Sequence, residues 1–140
     1  MKLLVAHDGS PQAGKALDMA ATLAKNLQAE ITVVTVTPDL TYPLDELPPE
    51  LAQRLNDTVA GETQALLRAV AKQMEEAGHT VKTVSRTGRP ADGIIAVAKE
   101  IGADMILVGS TGKQGASRLL LGSVSGSVAH DAPVSVLVVR

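Results

Sequence analysis

The sequence predicts an α/β fold in which one open parallel sheet is covered by helices on both faces. Short runs of β-branched and aliphatic residues alternate along the chain with longer segments whose apolar residues recur at helical spacing. The resulting order, β-α-β-α-β-α-β-α-β, is typical of right-handed crossovers onto a parallel sheet. The length of 140 residues is close to that of one domain, so we expect residues 1–140 to share one core.

The first part of the chain predicts two buried strands with a helix between them. The strands cover residues 3–6 and 31–36, which are apolar or β-branched, as in strands that are buried on both sides. Ser10 is a good N-cap for the helix, and Pro11 is a good first helical residue. The apolar face of this helix consists of Ala13, Ala16, Leu17, Ala20, Leu23, Ala24 and Leu27.

A loop and a long helix follow. Residues 37–49 are rich in proline and acidic residues, which favours a loop. Residues 50–77 are predicted to be helical, with Gly78 as the stop signal. The predicted apolar face of this helix consists of Leu51, Leu55, Val59, Leu66, Val70 and Met74.

The last part of the chain predicts three strands and two helices. The strands cover residues 81–86, 104–108 and 134–139. One helix begins at Gly88-Arg89-Pro90 and ends at Gly102, and a short helix covers residues 123–130.

The composition argues against several classes of function. The net charge is −2 and Tyr42 is the single aromatic residue, so neither a basic face nor a stacking platform for nucleic acid is expected. There is no cysteine, which excludes disulfides and thiolate ligands and is compatible with a cytoplasmic location. Asp8 interrupts the first apolar run too early for a signal peptide, and no apolar run is long enough for a membrane span.

The first candidate binding segment is Ala6-His7-Asp8-Gly9-Ser10, directly after the first strand. Ligands of open parallel sheets bind outside the carboxyl ends of the strands, where the strand order reverses. The Asp8 carboxylate could accept from a ribose hydroxyl or help to hold Mg²⁺ beside phosphates. The alternative is that Asp8 only shapes the turn.

The second candidate segment covers residues 109–123 and lies between a buried strand and a helix start. It combines four glycines and four hydroxyl residues with Lys113 and Arg118. Glycines let backbone N–H groups approach phosphate oxygens, and a helix that begins near Ser123 adds its free N–H groups and its dipole. The alternative is a flexible surface loop with solvated basic side chains.

Sharper catalytic and metal motifs are missing. Gln114 follows Lys113 where a P-loop has serine or threonine, and Val124 stands where a nucleophile elbow has its serine. No histidine has a second ligand at zinc spacing: His7 is placed near the ligand, whereas His79 and His130 are expected at the surface or at helix ends.

At these residues the sequence resembles the universal stress protein family. ATP-binding members carry the pattern G-2x-G-9x-G-[ST], which Gly109, Gly112, Gly122 and Ser123 match without a gap. The opening residues 5–10 and the closing residues 132–139 are similar to the family as well, so that the resemblance covers nearly the whole chain.

The resemblance implies a five-stranded, Rossmann-like parallel sheet of order 3-2-1-4-5, in which the two candidate segments form one site for ATP, AMP or ADP with Mg²⁺. It implies that Ala6 and Val36 line the adenine, that Asp8 meets the ribose or the metal, and that Gly109 and Gly112 leave room for ribose and phosphate. It places Gly122, Ser123 and Val124 on the phosphates. The further ligand contacts would be His7, Val108 and Arg118.

The resemblance and the apolar residues 134–139 also predict a homodimer formed across the last strand, because an apolar, uncharged sheet edge invites pairing. The alternative is an edge covered by a loop. Three functions stay open: a nucleotide-sensing module that regulates another protein, a slow ATPase or autokinase, and a protein-binding dimer without nucleotide. A phosphorylated receiver domain is set aside, because Asp8 lacks the second acidic residue that such a site needs.

Overall fold

The computed structural model describes residues 1–112 and 120–140. Its five strands form one parallel sheet of order β3-β2-β1-β4-β5, which confirms the predicted fold class and strand order. The strands are β1 (Lys2–Ala6), β2 (Glu30–Thr37), β3 (Val81–Thr87), β4 (Met105–Gly109) and β5 (Ser135–Val139). The helices are α1 (Pro11–Leu27), α2 (Thr41–Leu44), α3 (Pro49–Glu76), α4 (Pro90–Ile101) and α5 (Ser123–Asp131).

The core consists of two aliphatic clusters, one on each face of the sheet. Alternate residues of a strand point to opposite faces: Leu3 and Val5 join α1 and α3 in one cluster, whereas Leu4 joins α4 and α5 in the other. Helices cover β1 on both faces, which explains its continuous apolar run.

The helix boundaries follow the predicted signals closely. The Ser10 hydroxyl accepts from the Ala13 N–H (3.1 Å), and Pro11 is the first residue of α1. Helix α4 ends at Gly102, whose φ of 66° is left-handed and favours glycine. The predicted strand ends differ from the observed ones by at most one residue.

The prediction of a loop over residues 37–49 is wrong in one part, because the short helix α2 lies within it. The Asp39 carboxylate accepts from the Thr41 N–H (3.0 Å), and the Leu44 N–H donates to the Leu40 carbonyl (3.0 Å). Leu44 is buried, so an apolar contact stabilises this turn although the segment has the composition of a loop.

The predicted apolar face of α3 is wrong in its first half. Leu51 is 43% exposed and Leu55 is 40% exposed, while the buried residues are Thr63, Leu67, Val70 and Met74. The 28 residues of α3 span about 42 Å, whereas the eight residues of β2 span about 26 Å. The first turns of α3 therefore extend beyond the sheet and have no core to contact.

Within residues 1–112 and 120–140, no helix combines the length and the apolar character that a bilayer crossing requires.

Helix α4 packs on β2 so closely that Gly93→Ala should destabilise the fold. An added Cβ would lie 2.8 Å from Val36 Cγ2 and 3.0 Å from Cγ1. We expect a loss of about 1–3 kcal/mol in the free energy of unfolding, measured by urea denaturation. Gly61→Ala in α3 is the matched control, because nothing lies within 4 Å of its added Cβ, and it should stabilise by about 0.5–1 kcal/mol. Equal effects of the two substitutions would contradict the close packing.

Candidate functional site

The central pair of strands creates a cleft at the carboxyl edge of the sheet. Strands β1 and β4 are neighbours, and the chain leaves β1 toward α1 and β2 but leaves β4 toward α5 and β5. Such a reversal opens a crevice between the two outgoing segments. The volume of this crevice, about 640 Å³, lies within the range of small-molecule sites. We call it the switch-point cleft.

Ten of the predicted site residues line this cleft, and the structure thereby brings the two candidate segments together. They are Ala6, His7, Asp8, Val36, Val108, Gly109, Gly112, Gly122, Ser123 and Val124. The eleventh, Arg118, lies outside the described residues, as does Lys113. That these residues bind a nucleotide stays a prediction.

The cleft also contains residues that were not predicted as ligand contacts. They are Ser10, Ala13, Val34, Pro38, Pro90, Ile94, Thr111 and Ser125. Ser10, Thr111 and Ser125 are hydroxyl residues inside or next to the candidate segments. Their place at the cleft could therefore have been predicted from the sequence. Pro90 and Ile94 come from α4, and only the packing of α4 on β2 brings them here.

The turn after β1 is held by its own side chains. The Asp8 carboxylate accepts from the Ser10 N–H (2.9 Å), and the His7 Nδ1 accepts from the Gly9 N–H (3.0 Å). Gly9 has a φ of 85°, which a residue with a side chain rarely adopts. Asp8 therefore shapes the turn, as in the alternative interpretation, and its second oxygen lies at the cleft beside Gly112.

His7 is buried as a neutral imidazole. Burial lowers the pKa of His7 below its ordinary value of 6.5 and outweighs the nearby Asp8 charge, which raises it. The Gly9 N–H donates to Nδ1, so the proton of the neutral ring is on Nε2. The backbone of His7 is also fixed, because its N–H donates to Val34 (2.9 Å) and its carbonyl accepts from the Thr35 hydroxyl (2.9 Å).

Gly109, at the end of β4, and Gly112 stand where an added side chain would meet other parts of the protein. An added Cβ at Gly109 would lie 2.8 Å from the Gln12 carbonyl carbon, and one at Gly112 would lie 2.9 Å from the Asp8 Oδ2. Gly109 thus lets the end of β4 pass close to the first turn of α1, and Gly112 lets the following segment pass close to the turn after β1. Helix α1 fills the space beside Gly109. A glycine at this position is therefore needed for packing within the protein, in addition to the room for ribose and phosphate that the family resemblance implies.

Hydrogen bonds join the two ends of segment 110–122. The Ser110 carbonyl accepts from the Gly122 N–H (2.7 Å) and from the Ser125 hydroxyl (2.9 Å), which also lies 3.1 Å from the Gly122 carbonyl. Ser125 is 3% exposed. This buried serine fixes the start of α5 against the end of β4, which positions Gly122 and Ser123 at the cleft.

The start of α5 is a set of backbone donors without a side-chain cap. The N-cap is Gly122, and no described side chain accepts from the first turn, in contrast to the Ser10 cap of α1. The free N–H groups of Ser123 and Val124 and the positive end of the helix dipole therefore favour an anion in the cleft. Asp8 is the only charged side chain among the described residues that line it.

A second part of the lining of the switch-point cleft is apolar. Ala6, Val36 and Val108 belong to the cluster under α4, and they form its wall together with Val34 and Ile94. Apolar walls together with backbone donors suit a ligand that has a flat, weakly polar group and an anionic group.

A metal ion in the cleft would need coordinating oxygen atoms from the bound ligand as well as from the protein. Within residues 1–112 and 120–140, no three histidine or acidic side chains lie close enough to form a metal site. The Asp8 carboxylate suits Mg²⁺ as a single protein ligand, because Mg²⁺ is commonly held by one or two carboxylates, substrate phosphates and water.

Comparisons with known proteins all point to the universal stress protein family. The model of the universal stress protein family matches residues 1–140. Universal stress protein YxiE of Bacillus subtilis is 35% identical, over 99% of this chain and 98% of its own length. Universal stress protein MJ0531 of Methanocaldococcus jannaschii is 36% identical, over 99% of this chain and 81% of its own.

Solved structures of similar proteins share the fold. UspA from Lactobacillus plantarum has a TM-score of 0.85 and 28% identity, with 100% of this chain and 97% of that chain covered. A universal stress protein in complex with cAMP has a TM-score of 0.75 and 26% identity, with the same coverage.

The buried His7 predicts that acid destabilises the protein. Its folded pKa lies below the unfolded value of 6.5, so the unfolded chain binds the proton more readily. The free energy of unfolding should therefore fall as the pH drops from 6.5 through the folded pKa. In His7→Asn, whose side-chain oxygen can accept from the Gly9 N–H without titrating, this part of the pH dependence should vanish in urea titrations.

His130→Asn is the matched control for this pH dependence. The contact with Asp131 raises the pKa of the exposed His130, so its contribution is present below pH 6.5 and is lost as the pH rises. Replacing His130 should thus change the pH dependence of the free energy of unfolding in the opposite sense to replacing His7. Parallel profiles of the wild type and His7→Asn would show that His7 is not buried as the neutral form.

Proposed function

Because the chain belongs to the universal stress protein family, we propose that it is a nucleotide-sensing module that binds ATP with Mg²⁺ and regulates a protein partner under stress. The observation that carries this proposal is the start of α5, which no described side chain caps and whose residues Gly122, Ser123 and Val124 line a cleft that also has apolar walls. The relative that was solved with cAMP supports an adenine nucleotide as the class of ligand. The regulatory partner and the cytoplasmic location stay predictions.

Each part of the nucleotide would meet a matching part of the cleft. The adenine would lie between Ala6, Val36 and Ile94, where apolar surface is available without a charge to desolvate. The phosphates would accept from the backbone N–H groups of Ser123 and Val124 and from the Ser123 hydroxyl. These donors are already fixed by the bonds of Ser125, so little ordering would oppose binding.

Asp8 would bind Mg²⁺ or the ribose. Bound Mg²⁺ would supply positive charge beside the phosphates, which the described lining otherwise provides only through the α5 dipole. The Asp8 carboxylate keeps its orientation through the Ser10 N–H, which leaves the other oxygen for the ligand.

The described lining favours retention of the nucleotide over turnover. Phosphoryl transfer needs a group that positions the nucleophile and further charge neutralisation. His7 is the one titratable side chain beside Asp8 in the described lining, and its Nδ1 is occupied by the Gly9 N–H. A slow ATPase or autokinase is the second candidate, and a nucleotide-free dimer is the third.

The two edges of the sheet support a dimer across β5. The β3 edge carries Lys82 and Arg86, which discourage pairing, whereas Val136, Leu137 and Val138 of β5 are apolar and only partly buried. A second copy would cover this apolar strand and satisfy its outer hydrogen-bonding groups.

The first experiment measures nucleotides released from the purified protein by denaturation and the ATP affinity of the stripped protein, with and without Mg²⁺. Gly122→Ala should weaken ATP binding by about tenfold or more, since its Cβ would lie 3.3 Å from Ser110 O and from Thr111 Cα and would displace the start of α5. Gly126→Ala in the same helix is the control, because its nearest contact is an ordinary 4.0 Å.

The outcome separates the three candidate functions. ATP that stays intact and is lost in Gly122→Ala supports the sensing module. ADP that accumulates over time from added ATP supports the ATPase. If the wild type neither contains a nucleotide nor takes up ATP with Mg²⁺, the nucleotide proposal is wrong and the protein-binding dimer is favoured.

Val138→Pro tests the dimer. The Val139 carbonyl accepts from the Ser110 N–H toward β4, so the backbone groups of Val138 point to the open edge. Proline there removes an outward donor and should convert the dimer to a monomer in sedimentation velocity, while Val138→Ile should stay dimeric. A wild-type monomer at high concentration, or a dimer that persists in Val138→Pro, would argue against pairing across β5.

A further inference from the structure

The first half of α3 forms a surface that the described parts of the chain leave uncovered. Every residue from 49 to 62 is exposed or only partly buried, and the first buried residue of the helix is Thr63. We call residues 49–62 the α3 overhang. Because its side chains contribute little to the core, its composition is free to serve another purpose.

Two leucines are exposed on one side of the α3 overhang. Leu51 and Leu55 are four residues apart, and this spacing makes side chains neighbours on a helix surface. Single exposed leucines are common on protein surfaces and need no explanation. The pair therefore indicates a binding surface only if the groups around it also point to a partner.

The chain around the two leucines is strongly acidic. Residues 38–67 contain six of the 15 acidic residues of the protein but only one of its 13 basic residues, Arg54. Their net charge is thus −5, whereas the other residues, with nine acidic and twelve basic side chains, have a net charge of +3. The six acidic residues are all exposed, and they are Asp39, Asp45, Glu46, Glu50, Asp57 and Glu62.

Helix stability accounts for only part of this charge. Glu50 lies in the first turn of α3, where the helix dipole favours a negative side chain. Asp57 and Glu62 lie more than two turns further along, beyond the reach of that effect. Asp57 accepts only from the uncharged Gln53 carboxamide (2.8 Å). No lysine or arginine forms an ion pair with any of the six carboxylates within residues 1–112 and 120–140.

The charge decides which kind of partner fits the overhang. A second copy of this chain would bring the same net charge of −5 against it, and an anionic membrane would repel it as well. A basic segment would be attracted, and apolar residues of that segment could cover Leu51 and Leu55. Basic and apolar side chains occur together in an amphipathic helix that binds through its apolar side.

We propose that the α3 overhang is a docking surface for a basic amphipathic segment of another protein. Apolar side chains of the partner would pack on Leu51 and Leu55. Its lysine or arginine side chains would pair with Glu62, which lies two turns after Leu55 on the same side of α3. No residue from 49 to 62 lines the switch-point cleft, so the proposal goes beyond the nucleotide site and does not depend on it.

The first test is fluorescence anisotropy of the full chain with a short, labelled peptide of leucine and lysine at amphipathic helical spacing. We expect saturable binding in the micromolar range that weakens by about tenfold between about 0.05 and 0.3 M salt. The same peptide with glutamate in place of lysine is the control and should not bind, because its charge has the same sign as that of the overhang.

Amide chemical shifts of the ¹⁵N-labelled chain locate the bound peptide. We expect the lysine peptide to shift Leu51, Leu55 and Glu62. ATP with Mg²⁺ should shift Gly122 and Ser123, so the docking surface and the nucleotide site are reported separately. Peptide shifts that concentrate at the switch-point cleft or along β5 would overturn the proposal.

A double variant tests the two leucines. Leu51→Ser with Leu55→Ser should weaken binding of the lysine peptide by about tenfold or more, because the apolar contact is lost. Met19→Ser with Leu27→Ser in α1 is the matched control, since these residues are 40% and 47% exposed and lie outside the acidic stretch. The control should bind like the wild type.

Charge reversal tests the acidic side chains. Glu62→Lys should weaken binding by about threefold or more, whereas Glu75→Lys, near the other end of the same helix, should have little effect. Equal binding of the lysine and glutamate peptides, unchanged affinity in the leucine variant, or shifts spread over all acidic surfaces would each refute a specific docking surface. So would the absence of saturable binding to the wild type.

Discussion

The approach of β4 to the first turn of α1 is the constraint on which the site depends. Only a glycine can stand at position 109, because any side chain would collide with the backbone of Gln12. This contact brings the segment after β4 alongside the turn after β1, and Gly112 then lies against Asp8. The cleft between them is a product of backbone packing at the centre of the sheet, so it forms with the fold and requires no separate arrangement of its walls.

The same packing gives the cleft two chemically different kinds of lining. Alternate residues of β1, β2 and β4 point to the α4 face, and these supply the aliphatic wall. The donors are main-chain groups at the start of α5, which Ser125 fixes to Ser110 and Gly122. Peptide N–H groups can attract an anion without a lysine or arginine side chain that would have to be desolvated.

Most of the fold could be predicted because its signals are local. Ser10-Pro11 and Gly102 mark helix ends through their own backbone and hydrogen-bonding preferences, and the β-branched runs mark the strands. The errors arose where tertiary contacts decide. Leu51 and Leu55 have the spacing of a buried face, but the sheet ends before they can reach it. Similarly, Ile94 lines the cleft only because Gly93 lets α4 approach Val36, which is a contact between distant segments that no local pattern reveals.

The central position of β1 has a consequence for how the chain acquires its structure. The Lys2 N–H donates to Asp104, 102 positions further along the chain, and β1 pairs with β4 over Leu3, Leu4 and Val5. During synthesis, β1, α1, β2, α3 and β3 can assemble early, but one edge of β1 stays unpaired until β4 emerges. Truncated or nascent chains would therefore expose an apolar strand edge that is prone to aggregation, and a ligand of the finished cleft could protect only chains that have been translated past α5.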